Sequence, residues 1–245
     1  MKIFPLSEGA FTIDSTKQFV PFNKTSDDLQ TRPVGSLLVE IQPFLVITST
    51  DVILVDTGLG FKIGNELQIH KNLAALGINP GDVTKVLLSH LHKDHSGGIA
   101  YINVDGEHQL SFPNAMYVVN KKEFEFGLAN ANKSYLPEQF KILESSKQVH
   151  FVNDNGSIEG GISYFLTGGH CPFHQVFTIT DQNQTIFFGG DVAPQLQQMK
   201  NRFAAKYDFD GKRSMELRQE WWQEGKTKHW TFLFYHDIKA PMVTP

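Results

Sequence analysis

The chain has a single cysteine, Cys171, so no disulfide within it can brace the fold. It has no apolar run close to the roughly 18 residues that a membrane-spanning helix needs. It lacks a Lys/Arg cluster: 22 basic residues against 26 acidic ones leave a net charge of −4, which argues against a nucleic-acid surface. Low-complexity tracts, long linkers and short repeats are missing too. The opening MKIFPLSEGAF has one lysine and only a short apolar patch before Ser7 and Glu8, without the apolar core of a signal peptide. These absences lead us to expect a cytoplasmic protein acting on a small molecule, with no nucleic-acid or membrane partner.

What is present is a globular composition, 40% hydrophobic and 20% charged over 245 residues. That is enough chain for one domain, 1–245, with a full core. Residues 36–48 (SLLVEIQPFLVIT) read as a strand and 52–56 (VILVD) as the next. A helix is expected over 66–76, stopped by Gly77, and a short apolar strand over 83–89. A strand at 115–119 and helices near 121–128 and 136–147 follow. Then come strands at 162–166, 175–180 and 185–188, the last two joined by a hairpin turn at 181–184. Residues 194–228 read as a helical insertion and 231–235 as a final strand. Strands in two sets with helices between and after suggest two packed sheets with helices outside. The runs 53–58 (ILVDTG) and 186–191 (IFFGGD) echo one another, each delivering a carboxylate, Asp56 or Asp191, near a strand end.

The segment 89–98 (SHLHKDHSGG) carries the chemistry: three imidazoles and a carboxylate within six residues. In extended chain, residues two apart point the same way, so His90 and His92 can grip one ion. Asp94 and His95 come as the chain turns toward a helix and face a different spot, which hints at a second ion. Two pairs cannot fill two coordination shells, so further donors must come from elsewhere. His170, Asp191 and His236 each follow an apolar strand and are the candidates. Asp56 is either a plain turn carboxylate or the partner that fixes a ligand histidine's tautomer. His174 is read as structural, and His70, His108, His150 and His229 as solvated. Cys171 points away from its neighbour His170 and is read as a free thiol.

The order H-x-H-x-D-H after a strand, then G-G-H, G-G-D and a late histidine resembles the metallo-β-lactamase superfamily, from Leu37 to about Pro241. Asp56-Thr57-Gly58 is similar to that family's early D-T-G turn. The resemblance implies an α/β, four-layer αββα sandwich of two pseudo-symmetric halves. It implies two divalent metal ions, zinc in the first place, with iron or manganese also able to accept such N/O donors. It places His90, His92 and His170 on the first ion, Asp94, His95 and His236 on the second, and Asp191 between them. The activity it implies is hydrolysis: a bridging hydroxide attacks a small ester or lactone, with Asp94 and Asp191 as the catalytic carboxylates. A phosphotriester or phosphodiester hydrolase on the same site is the alternative. A catalytically silent metal-binding regulatory module is the reading from a different class.

Within that family the chain looks nearest to the lactonase and parathion-hydrolase-like branch, and an acyl-homoserine lactone is among the substrates so implied. Many acyl-homoserine lactonases carry a tyrosine three residues after the bridging aspartate, where this chain has Pro194; Tyr207 and Tyr235 are the possible replacements. Trp221, Trp222 and Tyr207 are expected to wall a substrate pocket, with Phe61, Phe124, Phe126, Phe173 and Phe203 as further wall candidates. Residues 4–23 are expected to serve as the arm of a homodimer.

Overall fold

The architecture follows from strands that are apolar on both faces. In a computed structural model describing residues 1–245, Ile53 and Val55 face one way and Leu54 the other, and all three are fully buried. Such a strand must be covered on both sides. It lies inside a six-stranded sheet in the order Lys2–Pro5, Phe44–Ile47, Val52–Val55, Lys85–Leu87, Met116–Asn120, Val149–Val152. The last four run parallel; the first two join antiparallel. A second six-stranded sheet has the order Gly156–Ile158, Ile162–Leu166, Gln175–Asp181, Gln184–Phe188, Thr231–Leu233, Met242–Val243. Its one parallel pair joins Gln184–Phe188 to Thr231–Leu233.

Three apolar clusters define the layers. Between the sheets, Val46, Ile53, Val55 and Val118 of the first meet Phe177, Ile186 and Phe188 of the second. On the outer face of the first sheet, Leu54, Val86 and Tyr117 pack with Leu73 of the helix Gln68–Ala74 and Phe124 of the helix Lys121–Ala129. On the outer face of the second, Phe187 and Phe232 pack under Met199 of the helix Leu196–Lys200 and the tryptophans of the helix Gly211–Lys228. The result is an αββα sandwich. A smaller sheet, Phe19–Phe22 with Gly9–Ile13 and Leu37–Ile41, closes one end.

Several expected boundaries change. Residues 36–48 form two strands, Leu37–Ile41 and Phe44–Ile47, in different sheets, because Pro43 cannot continue a ladder and the chain turns there. Residues 136–147 give only Pro137–Phe140 and a tighter turn, Lys141–Ser145. The insertion is helical only at Leu196–Lys200 and Gly211–Lys228. Residues 4–23, expected as a dimer arm, pair within the chain: Phe4 lies opposite Leu45 and Ala10 opposite Glu40, and Phe11 is buried. The hairpin turn is as expected, with Gln182 taking the left-handed conformation between paired Asp181 and Gln184.

Candidate metal centre

The strand Lys85–Leu87 runs into the motif, and the helix Lys93–Ser96 begins after His92. The extended part sets His90 beside His92, ring centroids 4.5 Å apart, and the helical turn swings Asp94 and His95 to a neighbouring spot. Two donor groups result: His90, His92 and His170, and Asp94, His95, Asp191 and His236, each with its donor atoms within 4.8 Å of one another. Asp191 spans them. Its Oδ1 lies 3.1 Å from His95 Nε2 and 3.0 Å from His236 Nε2, while its Oδ2 lies 3.3 Å from His170 Nε2. Asp94 Oδ2 lies 3.5 Å from His236 Nε2.

The outward nitrogens are taken. His95 Nδ1 donates to Asp56 at 2.7 Å, His236 Nδ1 to the Glu40 carbonyl at 2.8 Å, and His170 Nδ1 to Asp208 at 2.9 Å. His90 Nδ1 donates to Ser89 Oγ at 3.0 Å, and that hydroxyl in turn donates to Asp56. The Nε2 atoms of these four rings therefore turn inward, against carboxylate oxygens or other imidazole nitrogens, and His92 turns its Nδ1 inward instead, 3.1 Å from His170 Nε2. His90 Nε2, His95 Nε2 and Asp191 Oδ1 are buried without a hydrogen-bond partner. Inward lone pairs at about 3 Å from one another, with their orienting partners already in place, are what a bound cation resolves. The donor set fits a pair of divalent ions.

Electrostatics agree. Burial, with neighbouring imidazoles, holds His90 and His92 well below the usual histidine range, so they stay neutral as a ligand must. Burial also works against a charge on His95 and His236. There the carboxylates of Asp191 and Asp94 outweigh it, joined at His95 by Asp56, and hold both rings above their usual range. A field that retains a proton this strongly attracts a metal cation to the same spot.

The surroundings are specific. His174 is fully buried; its Nε2 accepts from the Asp191 backbone N–H at 3.1 Å and its Nδ1 donates to Thr167 Oγ1 at 3.2 Å. It thereby shapes the Asp191 turn and has no nitrogen left for a cation. Gly190 sits at φ +48, and a side chain there would meet His174 Nε2 at 2.6 Å, so only glycine fits. Tyr235 stacks on His95, centroids 4.1 Å apart, and its hydroxyl donates to the Asp94 carbonyl. Fully buried, it supports the site and faces no substrate.

Both donor groups open into a cleft of about 990 Å³ whose lining includes His92, Asp94, His170, Asp191 and His236. Tyr207 also lines it, its ring 6.1 Å from that of His170, together with Phe126 and Phe203. Trp221 and Trp222 do not: they pack on Phe187 and Phe232 at 4.8 and 5.2 Å, behind the second sheet. The helix turns that face to the sheet because Phe187 and Phe232 expose a broad apolar surface there. Phe124 is core and Phe61 stacks on Phe11. His70, expected in solvent, is half-buried against Phe112 and bonds the Ser111 carbonyl. Cys171 is buried, its thiol directed at Glu123.

Two acids near the centre escaped the sequence reading. Asp208 lies in the irregular stretch between the two late helices, 38 positions from His170, where no spacing rule points to it. The same stretch is bonded to the His170 loop by its backbone: Phe209 N–H to the His170 carbonyl and Asp210 N–H to that of Gly169. Asp208→Ala is expected to weaken zinc binding at the His90, His92 and His170 group about 10–100-fold, read by chelator competition. Unchanged affinity would deny Asp208 that role.

Glu8 is the second. Its Oε2 accepts from Leu59 N–H, its Oε1 has no partner, and burial pushes its carboxyl up to about 8. The folded chain thus holds this proton more tightly than the unfolded chain, whose carboxyl titrates near 4.5. Stability contributed by Glu8 is present below 4.5 and is lost as pH rises toward 8, by about 4–5 kcal/mol. Urea unfolding at about pH 5 and pH 8 should show this slope, and Glu8→Gln should flatten it.

Comparison with known proteins places the chain. The family model described as Metallo-beta-lactamase superfamily matches residues 40–228. An N-acyl homoserine lactonase of Bacillus thuringiensis is 26% identical over 205 residues, 72% of each chain. The N-acyl homoserine lactonase AttM of Azorhizobium caulinodans is 32% identical over 114 residues, 43% of this chain. This chain spans only 39% of that relative's length. Among solved structures, a probable metal-dependent hydrolase from Staphylococcus aureus superposes with TM-score 0.80 at 22% identity, covering 99% of this chain and 91% of that one. AidC, described as a dizinc quorum-quenching lactonase, superposes with TM-score 0.73 at 22% identity, covering 98% and 88%. With a matched segment running from Glu40 to Lys228 through the histidine motif and the Asp191 turn, this chain belongs to the metallo-β-lactamase superfamily.

Proposed function

We propose that the chain is a dinuclear-metal hydrolase of a small ester or lactone. One observation carries the reading: two donor groups share Asp191 at a cleft large enough for a small organic substrate. The lactonase relatives and structural neighbours support it. His90, His92 and His170 would hold one cation, Asp94, His95 and His236 the other, and Asp191 both. Two divalent ions bound there supply Lewis acidity and an activated water at neutral pH.

The chain's own groups do the rest. Asp191 presents one carboxylate oxygen to each group, so the spacing of the centre is set by a single side chain. Asp94 reaches the cleft with its carboxylate and can carry a proton to a departing oxygen. Tyr207 is the hydroxyl on the wall: partial burial and the Asp191 carboxylate push it up to about 12, so it remains an O–H donor at neutral pH. We assign it to the substrate oxygen, since Pro194 leaves no hydroxyl after the Asp191 turn.

The test is a comparison of rates on lactone, carboxylic-ester and aryl-phosphate panels, with metal content determined on the same preparation. Two metals per chain with preference for the lactones or esters is expected. Preference for phosphates would move the substrate class, and two bound metals with no turnover on any panel would leave a silent metal-binding module.

A further inference from the structure

The chain is acidic overall, yet the cleft is lined by three cations, Lys17, Arg32 and Lys93. None is ion-paired. The lysines that meet carboxylates are Lys24, Lys85, Lys121, Lys122, Lys212 and Lys228, all outside the cleft. Of the cleft's acids, Asp94 and Asp191 belong to the donor groups and Asp208 is bonded to His170. The remaining one, Asp14, is occupied by the backbone N–H and hydroxyl of Thr16.

Two of these cations, Lys17 and Lys93, are built in, while Arg32 is exposed on the cleft wall. Lys93 follows His92 directly; its ammonium donates to the Lys17 carbonyl at 2.5 Å and sits 5.6 Å from the centre of the Phe19 ring. Lys17 is half-buried and held at φ +60, a conformation that costs a side-chain-bearing residue about 1 kcal/mol or more. Lys17 lines the same cleft as His92, and its carbonyl receives the Lys93 ammonium, the residue next to that histidine. Unpaired like charges gathered beside a strained backbone are unfavourable unless something of opposite sign visits them. Other parts of the lining are apolar and aromatic, among them Leu37, Phe126, Phe203 and Phe209.

From this juxtaposition of unpaired cations, apolar wall and metal-binding side chains we propose that the substrate is an ester or lactone carrying an anionic group, carboxylate or phosphate, away from the bond that is cleaved. Lys17, Arg32 and Lys93 receive that group, while the apolar lining takes the carbon skeleton. The proposal rests on the hydrolase reading above and narrows its substrate class. Ammonium groups act as point charges and do not choose between the two anions, so the experiment includes both.

The test uses the metal-loaded protein and three p-nitrophenyl esters of similar length: neutral hexanoate, the monoester of adipic acid, and an acyl chain ending in phosphate. At about 20 mM salt at least one anionic ester should have kcat/KM about tenfold above the neutral one, and about 500 mM salt should erode the difference. Lys17→Asn removes the charge while tolerating the left-handed backbone, and with Arg32→Gln it should bring the ratio toward one. Equal kcat/KM at low salt, or a ratio indifferent to both substitutions, overturns the proposal. If none of the three esters is cleaved, the hydrolase reading is decided separately on the lactone panel, and calorimetry with the corresponding amides still decides the proposal. Tighter binding of an anionic amide that is lost in the Lys17→Asn, Arg32→Gln double variant supports the proposal; equal binding of all three amides defeats it.

Discussion

Asp191→Ala is expected to abolish metal binding at the shared position and to lower kcat/KM by about 10³-fold or more, corresponding to at least about 4 kcal/mol of transition-state stabilisation. Its two oxygens face His95 and His236 on one side and His170 on the other, so no other side chain can replace it in both groups. The informative control is His174→Ala. His174 is as buried as any ligand candidate and follows His170 by one helical-looking interval, but its nitrogens are committed to Asp191 N–H and Thr167. That variant should keep most of its metal while losing stability, about 2–4 kcal/mol for the cavity and the unsatisfied amide. Elemental analysis and steady-state kinetics on both proteins decide the matter. Two metals retained in Asp191→Ala, or metal lost from His174→Ala but not from His170→Ala, would require a different ligand set.

Asp56→Ala should cost about 4 kcal/mol in folding stability, measured by urea unfolding of metal-free protein. Asp56 is fully buried and accepts three hydrogen bonds, from Ser89 N–H, Ser89 Oγ and His95 Nδ1, each at 2.7 Å. Removing it leaves those donors buried and unpaired, which is the expensive way to break such a network. Alanine at φ +55 adds about 1 kcal/mol of backbone cost. Asp56→Asn tolerates that conformation and keeps two of the three bonds, so it should recover part of the loss. Because Ser89 Oγ relays from Asp56 to His90, both donor groups lose an orienting partner in Asp56→Ala. A loss under about 1 kcal/mol would reduce Asp56 to an ordinary turn residue.

Much of the centre was legible because it is local. His90, His92, Asp94 and His95 sit within six residues, and the two-residue period of a strand followed by a helical turn separates them into two pairs. The strand runs around Ile53 and Phe187 were legible for the same reason: consecutive apolar residues announce a strand covered on both faces. Errors arose where a residue type pointed to a role that packing reassigned. Trp221 and Trp222 suggested a pocket wall, but a helix rotation of a few residues settles which face meets the sheet, and Phe187 and Phe232 took them. Residues 36–48 looked like one strand because Pro43 is a single position in an apolar run, and its missing N–H splits the run between sheets.

Local pattern in the chain was therefore sufficient for two packed sheets with helices outside and for the four donors between His90 and His95; the αββα layering and the parts of His170, Asp191 and His236 came from the resemblance of the ordered motifs to a family. Only the tertiary structure decided that Asp208 orients His170, that Glu8 is buried beneath the Asp56 turn, and that Lys17 and Arg32 share a cleft with His236. Spacing along the chain carries information only across one strand or one helical turn. Asp208 lies 38 positions from His170, in a stretch with no periodicity, and what joins them is the packing of one loop on another.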